Sequence, residues 1–156
     1  MQTIEEIISQ KKFKDEYQKG LISLMYLVNQ IKDLQATIFK PYNITLQQYN
    51  VLRILRGQFP NPINIAVIKE RMLYKNSDVS RIIARLIKTE LISTIKSKSD
   101  KRALDIVISN KGFKLLNQVD LVIGEVEIPF KVLDSDEIKA LNHSLIKIIN
   151  NLGIKK

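Results

Sequence analysis

Asn76-Ser77-Asp78-Val79-Ser80-Arg81-Ile82-Ile83-Ala84-Arg85-Leu86-Ile87-Lys88-Thr89 is a stretch with two opposed faces. Val79, Ile82, Ile83 and Leu86 recur at i, i+3, i+4 and i+7, which predicts one buried stripe on an α-helix beginning at about Asn76 or Ser77 and reaching about Thr89. Opposite that stripe stand Ser77, Arg81, Ala84, Arg85 and Lys88. One side is fixed in a core, and the other presents two arginines a turn apart.

Working upstream, Tyr74-Lys75 is a very short turn, preceded by a short helix that Asn64 can cap, with Ile63 placed to staple onto Ile68 and an end near Met72. A Pro-bounded loop, Phe59-Pro60-Asn61-Pro62, separates it from an earlier helix. There Thr45 and Gln48 have capping-box spacing, Ile44 can staple onto Tyr49, and the helix runs to about Gly57. Three helices on short connections, the last presenting its outer face, are the pattern of a helix-turn-helix core. Downstream, residues 91–96 and 103–108 are β-branched and partly alternating, hence two strands. Between them lies the polar and basic run Ser97-Lys98-Ser99-Asp100-Lys101-Arg102, so the hairpin has a cationic tip, a wing.

The flanks are helical. Tyr17, Leu21, Leu24, Met25, Val28, Ile31, Leu34 and Ile38 fall at spacings of three and four, predicting a long amphipathic helix from Phe13 to Ile38 that Lys40-Pro41-Tyr42-Asn43 ends. A small lobe cannot cover so long a helix, which therefore needs a partner surface. Ser109 can cap a further helix through Leu115, Leu116, Val119, Val122, Ile123 and Val126 as far as Pro129. Asp134 and Glu137 form a second capping box, with Leu133 placed to staple onto Ile138, and open a last helix whose apolar row is Ile138, Leu141, Leu145, Ile148 or Ile149, and Leu152. The expected fold class is mostly α with a small β-hairpin wing (α+β), a winged helix-turn-helix lobe carrying N- and C-terminal dimerisation helices.

Charge supports a polyanionic partner. The 156 residues carry a net +9, of which residues 1–63 hold +3, residues 64–114 hold +7 and residues 115–156 hold −1. The basic excess thus sits on the lobe. Catalysis and metal chemistry find little footing: there is no Cys, a single histidine, His143, in the last helix, no Gly-rich phosphate loop and no paired carboxylates. No cofactor and no metal are expected, and the chain is not expected to be an enzyme. The longest near-apolar stretch, Leu21 to Val28, is far short of the roughly 18 residues of a membrane span. With Glu5 and Glu6 where a signal peptide is basic and apolar, a soluble cytoplasmic protein without membrane contact is expected.

Five motifs in order, Ile44-Thr-Leu-Gln-Gln-Tyr-Asn-Val-Leu52, Ser77-Asp-Val-Ser-Arg81 with Arg85-Leu86, Asp100-Lys-Arg102-Ala103, Ile108-Ser-Asn-Lys-Gly112 and Leu133-Asp-Ser-Asp-Glu-Ile138, closely resemble the MarR family of winged-helix transcription regulators. The resemblance extends from about Phe13 to Leu152. It implies a single domain over residues 1–156, with the DNA-binding lobe at about 44–112 and a helical dimerisation region at about 11–40 and 113–154. It also implies a homodimer on a palindromic operator, acting as a repressor. Small aromatic or anionic ligands would bind between the dimerisation helices and the lobe, where Tyr17 and Tyr26 are the aromatic candidates on the first helix. Two departures stand out: Glu90 where the family usually has Gly before the first wing strand, so that the helix must end without the easy left-handed geometry, and Lys101 where many members have Arg.

On this reading double-stranded DNA is gripped by Asn76, Ser77, Asp78, Ser80, Arg81, Ala84, Arg85, Lys98, Asp100, Lys101 and Arg102. Asn76 and Ser77 at the helix start suit a phosphate or a base edge, while Arg81 and Arg85 reach the major groove, where a guanidinium bonds guanine bidentately. Ala84 between them suits a thymine methyl, and Asp78 and Ser80 at the margins orient an arginine or touch the backbone. At the wing tip Arg102 probes a narrow minor groove, with Asp100 holding it by family analogy, and Lys98 and Lys101 meet phosphates. Dimerisation falls to Leu21, Met25, Val28, Leu141, Leu145, Ile148 and Leu152. The competing reading is a winged-helix protein–protein interaction module that no longer binds DNA.

Overall fold

A computed structural model describes residues 2–97 and 104–153, so Lys98, Asp100, Lys101 and Arg102 of the wing tip lie outside the described residues. The chain divides into two compact units, Met1–Val122 and Ile123–Lys156.

The first unit opens with a short helix absent from the sequence expectation, α1 (Ile4–Ile7), which Thr3 and Glu6 hold by a capping box. Glu5 ties it to Lys19 at 2.8 Å. Lys19 belongs to the long helix α2 (Glu16–Phe39), capped by Asp15. Pro41 does not push Lys40 out of helical geometry as expected: Lys40 keeps φ −54° and ψ −46° and opens a 3-10 turn over Lys40–Tyr42. Proline fits such a turn's start, where its missing N–H would have no partner anyway. The chain reverses at Asn43 instead, whose φ is 52° and whose N–H donates to the Lys40 carbonyl.

The capping box expected at Thr45 and Gln48 is present and starts α3 (Leu46–Gln58), and Asn64 caps α4 (Ile65–Arg71) through the Val67 N–H. After the turn comes α5 (Val79–Lys88). β1 (Ile92–Lys96) then pairs antiparallel with β2 (Leu104–Ile108), Ile92 opposite Ile108 and Lys96 opposite Leu104. Ile63 does more than flank α4: its N–H and carbonyl both bond Ile106, adding one residue of a third strand to the hairpin. Val51, Leu52, Leu55, Ile68, Met72, Leu86, Ile106 and Leu116 form the core, each at most 3% exposed. All of the helix-turn-helix elements and the hairpin thus contribute to one apolar centre.

Ser109 caps α6 (Asn110–Asp120) as expected. The helix does not continue to Pro129. Leu121 and Val122 donate to carbonyls only three residues back, tightening the last turn, and a 3-10 segment runs over Ile123–Val132. Gly124 and the β-branched Val122, Ile123 and Val126 favour an α-helix weakly, so nothing there resists the change.

The second unit holds this 3-10 segment and α7 (Ser135–Asn151). The expected capping box is formed, Asp134 accepting from the Asp136 and Glu137 N–H groups while the Glu137 carboxylate accepts from the Asp134 N–H. Neither element buries a residue, and Ile146, Ile148, Ile149 and Leu152 are each more than half exposed.

Candidate nucleic-acid interface

The recognition face is set by how α5 begins and ends. Its start differs from the expectation. Ser77 closes a turn by donating its N–H to the Tyr74 carbonyl, so Asn76 and Ser77 precede the helix, and Asp78 is the cap, accepting from the Arg81 N–H at 3.0 Å. A carboxylate is a strong acceptor for an unpaired helix N–H and matches the positive end of the helix dipole. Asp78, expected to orient an arginine side chain or touch DNA, is engaged with the backbone of Arg81.

The two faces separate as the periodicity predicts. Val79, Ile83 and Leu86 are buried and Ser80, Arg81, Ala84, Arg85 and Lys88 are exposed, whereas Ile82, expected in the buried stripe, and Ser77, expected on the outer face, are both half-buried. Among the described residues neither Arg81 nor Arg85 enters an ion pair. Both guanidiniums are available to a ligand, and Ser80 and Ala84 lie on the same exposed side.

At the far end, Glu90 corrects a second expectation. It adopts φ 60°, so the left-handed geometry is taken without glycine. The Leu91 N–H bonds the Leu86 carbonyl and the Glu90 N–H bonds the Ile87 carbonyl, the paired 6→1 and 5→2 bonds of a Schellman motif. Leu86 and Leu91, both buried, supply its apolar contact. Further bonds hold the bend: the Ser109 hydroxyl donates to the Glu90 carbonyl at 2.7 Å, and Lys111 pairs with the Glu90 carboxylate at 3.1 Å. Gly112 is required beside this joint, because a Cβ there would stand 2.2 Å from the Leu91 carbonyl oxygen.

Over the outer face of α5 opens a cleft of about 540 Å³. Arg81, Ile82 and Arg85 line it with Thr45, Gln47 and Gln48 of the α3 start and the connecting residues Tyr74, Lys75, Asn76, Ser77 and Asp78. Burial pushes the Tyr74 phenol above its ordinary pKa. Gln47, Tyr74 and Lys75 were not singled out in the sequence. Their types carry no motif, and only tertiary packing shows that the first turn of α3 faces α5. A second cleft, of about 440 Å³, lies between α2 and α3, lined by Lys32, Gln35, Ala36, Phe39 and Lys40 and sharing Thr45, Gln47 and Tyr74 with the first. Tyr17 and Tyr26 do not line it.

Of the residues expected to dimerise, Leu21, Met25 and Val28 are exposed on α2 at 58, 63 and 41%. Within α7, Ile148 is exposed and Leu141 and Leu145 are half-buried, with Leu152, also exposed, at its C-cap. Among the described residues no helix is long and apolar enough to cross a membrane, and no cluster of three His, Asp or Glu could hold a metal ion.

With this geometry in hand, a family model described as the MarR family matches residues 42–103, from the end of the 3-10 turn through both strand approaches. The chain is also similar to the HTH-type transcriptional regulator MgrA of Staphylococcus aureus, 28% identical over 113 residues, which are 72% of this chain and 75% of the relative. Over residues 42–103 the chain matches the MarR family, and its relatives are transcriptional regulators. Solved MarR structures share the fold over most of the chain. AbsC, a MarR family transcriptional regulator from Streptomyces coelicolor, superposes with a TM-score of 0.79 at 17% identity, covering 91% of this chain and 97% of that one. A mutant MarR from E. coli complexed with operator DNA gives a TM-score of 0.71 at 23% identity, covering 95 and 99%. At these identities the likeness speaks for the MarR fold, a winged helix-turn-helix with long flanking helices.

Proposed function

We propose that this chain is a double-stranded-DNA-binding regulator of transcription that works as a homodimer on a palindromic operator. The observation that carries the reading is the exposed pair Arg81 and Arg85, without an ion-pair partner among the described residues, on a helix whose opposite face is locked in the core. The complex of the mutant E. coli MarR with operator DNA supports it, as does the net +7 of residues 64–114. Arg81 and Arg85 read base edges in the major groove, and the wing, with Lys98, Lys101 and Arg102, tracks the flanking backbone and minor groove. The chain acts as a repressor, without catalysis of its own. Release from DNA follows binding of a small aromatic or anionic ligand in the cleft between α2 and α3, where Lys32 and Lys40 supply positive charge and Phe39 an aromatic wall.

Selection of bound fragments from genomic DNA supplies the operator, and fluorescence anisotropy then measures the variant. Arg81→Ala weakens operator binding by about 1–3 kcal/mol and relaxes one base position. Unaltered affinity would remove the recognition role from α5. The protein-interaction reading keeps one clear test: a chain that binds no duplex even at low salt belongs to that class instead.

A further inference from the structure

We propose that the first turn of α3 and the α4–α5 turn form a second DNA contact, in which Gln47 and Lys75 hold the sugar–phosphate strand running beside the bases that Arg81 and Arg85 read. This rests on the DNA-binding reading above and extends it to residues outside the recognition helix. Gln47 and Lys75 line the same 540 Å³ cleft as the two arginines. Asp78 is the single carboxylate among the lining residues, and it is engaged with the Arg81 N–H. Lys75 donates to the Glu70 carbonyl, which holds the ammonium near the cleft without neutralising it and leaves two N–H donors. Gln47 is half-buried, and among the described residues its side chain makes no hydrogen bond. It lies one residue into α3, past the cap, so the fold does not use its amide. A cationic cleft open to solvent, lined by an unengaged amide together with two arginines, suits a phosphodiester chain that must pass through, and such contacts add affinity without sequence information.

Because phosphate contacts are sequence-independent, the test needs only a random-sequence duplex. Salt titrations by fluorescence anisotropy are compared with thermal melts for the parent, Lys75→Gln, Lys75→Ala and Gln47→Glu. Lys75→Gln keeps a donor for the Glu70 carbonyl and removes the charge, so its log K against log salt slope is shallower by about 0.9 with unchanged melting. Lys75→Ala lowers the slope equally, whatever it does to stability. Gln47→Glu puts an acid in the first turn of a helix, which favours folding, yet sets a negative charge against a phosphate. Its melting temperature therefore holds or rises while duplex affinity falls about tenfold. Opposite movement of stability and affinity is not produced by a structural role. If the parent binds duplex while Gln47→Glu binds equally well, or Lys75→Gln keeps the full salt slope, this contact is wrong and the recognition helix stands. A parent that binds no duplex at any salt overturns both.

Discussion

Glu90 carries an ordinary side chain through backbone that L-residues enter at a cost of roughly 1–2 kcal/mol. The compensation is local and visible in the Schellman bonds to Leu86 and Ile87 and the Ser109 hydroxyl on the Glu90 carbonyl. Among the described residues the carboxylate itself reaches only Lys111, in a pair whose side chains are 81 and 59% exposed, and such pairs add little. Glu90→Gly should therefore keep every backbone bond and remove the steric penalty. Set against the extra freedom of glycine in the unfolded chain, the gain is roughly 0.5–1 kcal/mol, read as a higher urea midpoint with unchanged slope. A destabilised variant would mean that the Lys111 pair outweighs the backbone. The residue also shows a limit of sequence reading. Which residue is comfortable at a left-handed position is legible, whereas whether the surrounding bonds force an uncomfortable one into it is not.

Among the elements, the caps were the most readable features. Thr45, Asn64, Ser109 and Asp134 each precede a periodic apolar row and each caps the expected helix. The start of α5 was ambiguous because Asn76, Ser77 and Asp78 are three consecutive good caps, and only the turn closed by Ser77 selects the third. Pro129 gave an upper limit for α6, not its end, since the tightening at Leu121 depends on hydrogen bonds that periodicity does not report. The clefts were invisible for a related reason: they are spaces between elements, made by packing. The cap of α7 makes a prediction at this scale. The Glu137 and Asp136 N–H groups hold the Asp134 carboxyl below the ordinary aspartate range. A depressed folded pKa contributes stability that is fully present above the unfolded value, about pH 4, and is lost as pH falls through the folded one. Asp134→Asn retains a good cap that does not titrate. Thermal melts of the two chains from pH 7 down to pH 2 should converge as the acid is protonated, the parent losing more stability on the way. Parallel profiles would show that the cap carries no linked proton.

For the molecule as a whole, the helices beyond the helix-turn-helix core are unfinished surfaces. Leu21, Leu24, Met25, Leu27 and Val28 stay exposed along α2, and α7 buries none of its residues, which is an arrangement that water disfavours until a second apolar surface covers it. Light scattering after size exclusion should give about twice the 18.0 kDa chain mass. Met25→Glu, a charge at a 63% exposed position of the single chain, should shift that mass toward the monomer while leaving isolated-chain packing untouched. A parent that elutes as a monomer at tens of micromolar would refute the account of the long helices. The charge distribution agrees with this division of labour, with the basic excess in residues 64–114 and a net −1 in residues 115–156. The joint at the foot of the wing has a separate consequence for engineering. Leu91 and Ser109 are bonded to each other through the Ser109 N–H, Glu90 and Ser109 through the hydroxyl, and Gly112 seals the contact from below. The hairpin therefore leaves and returns at a single clasp, so that a wing of different length or reach can be spliced in between the strands while both neighbouring helices keep their anchor, provided that the core residues Ile92, Ile106 and Ile108 are retained.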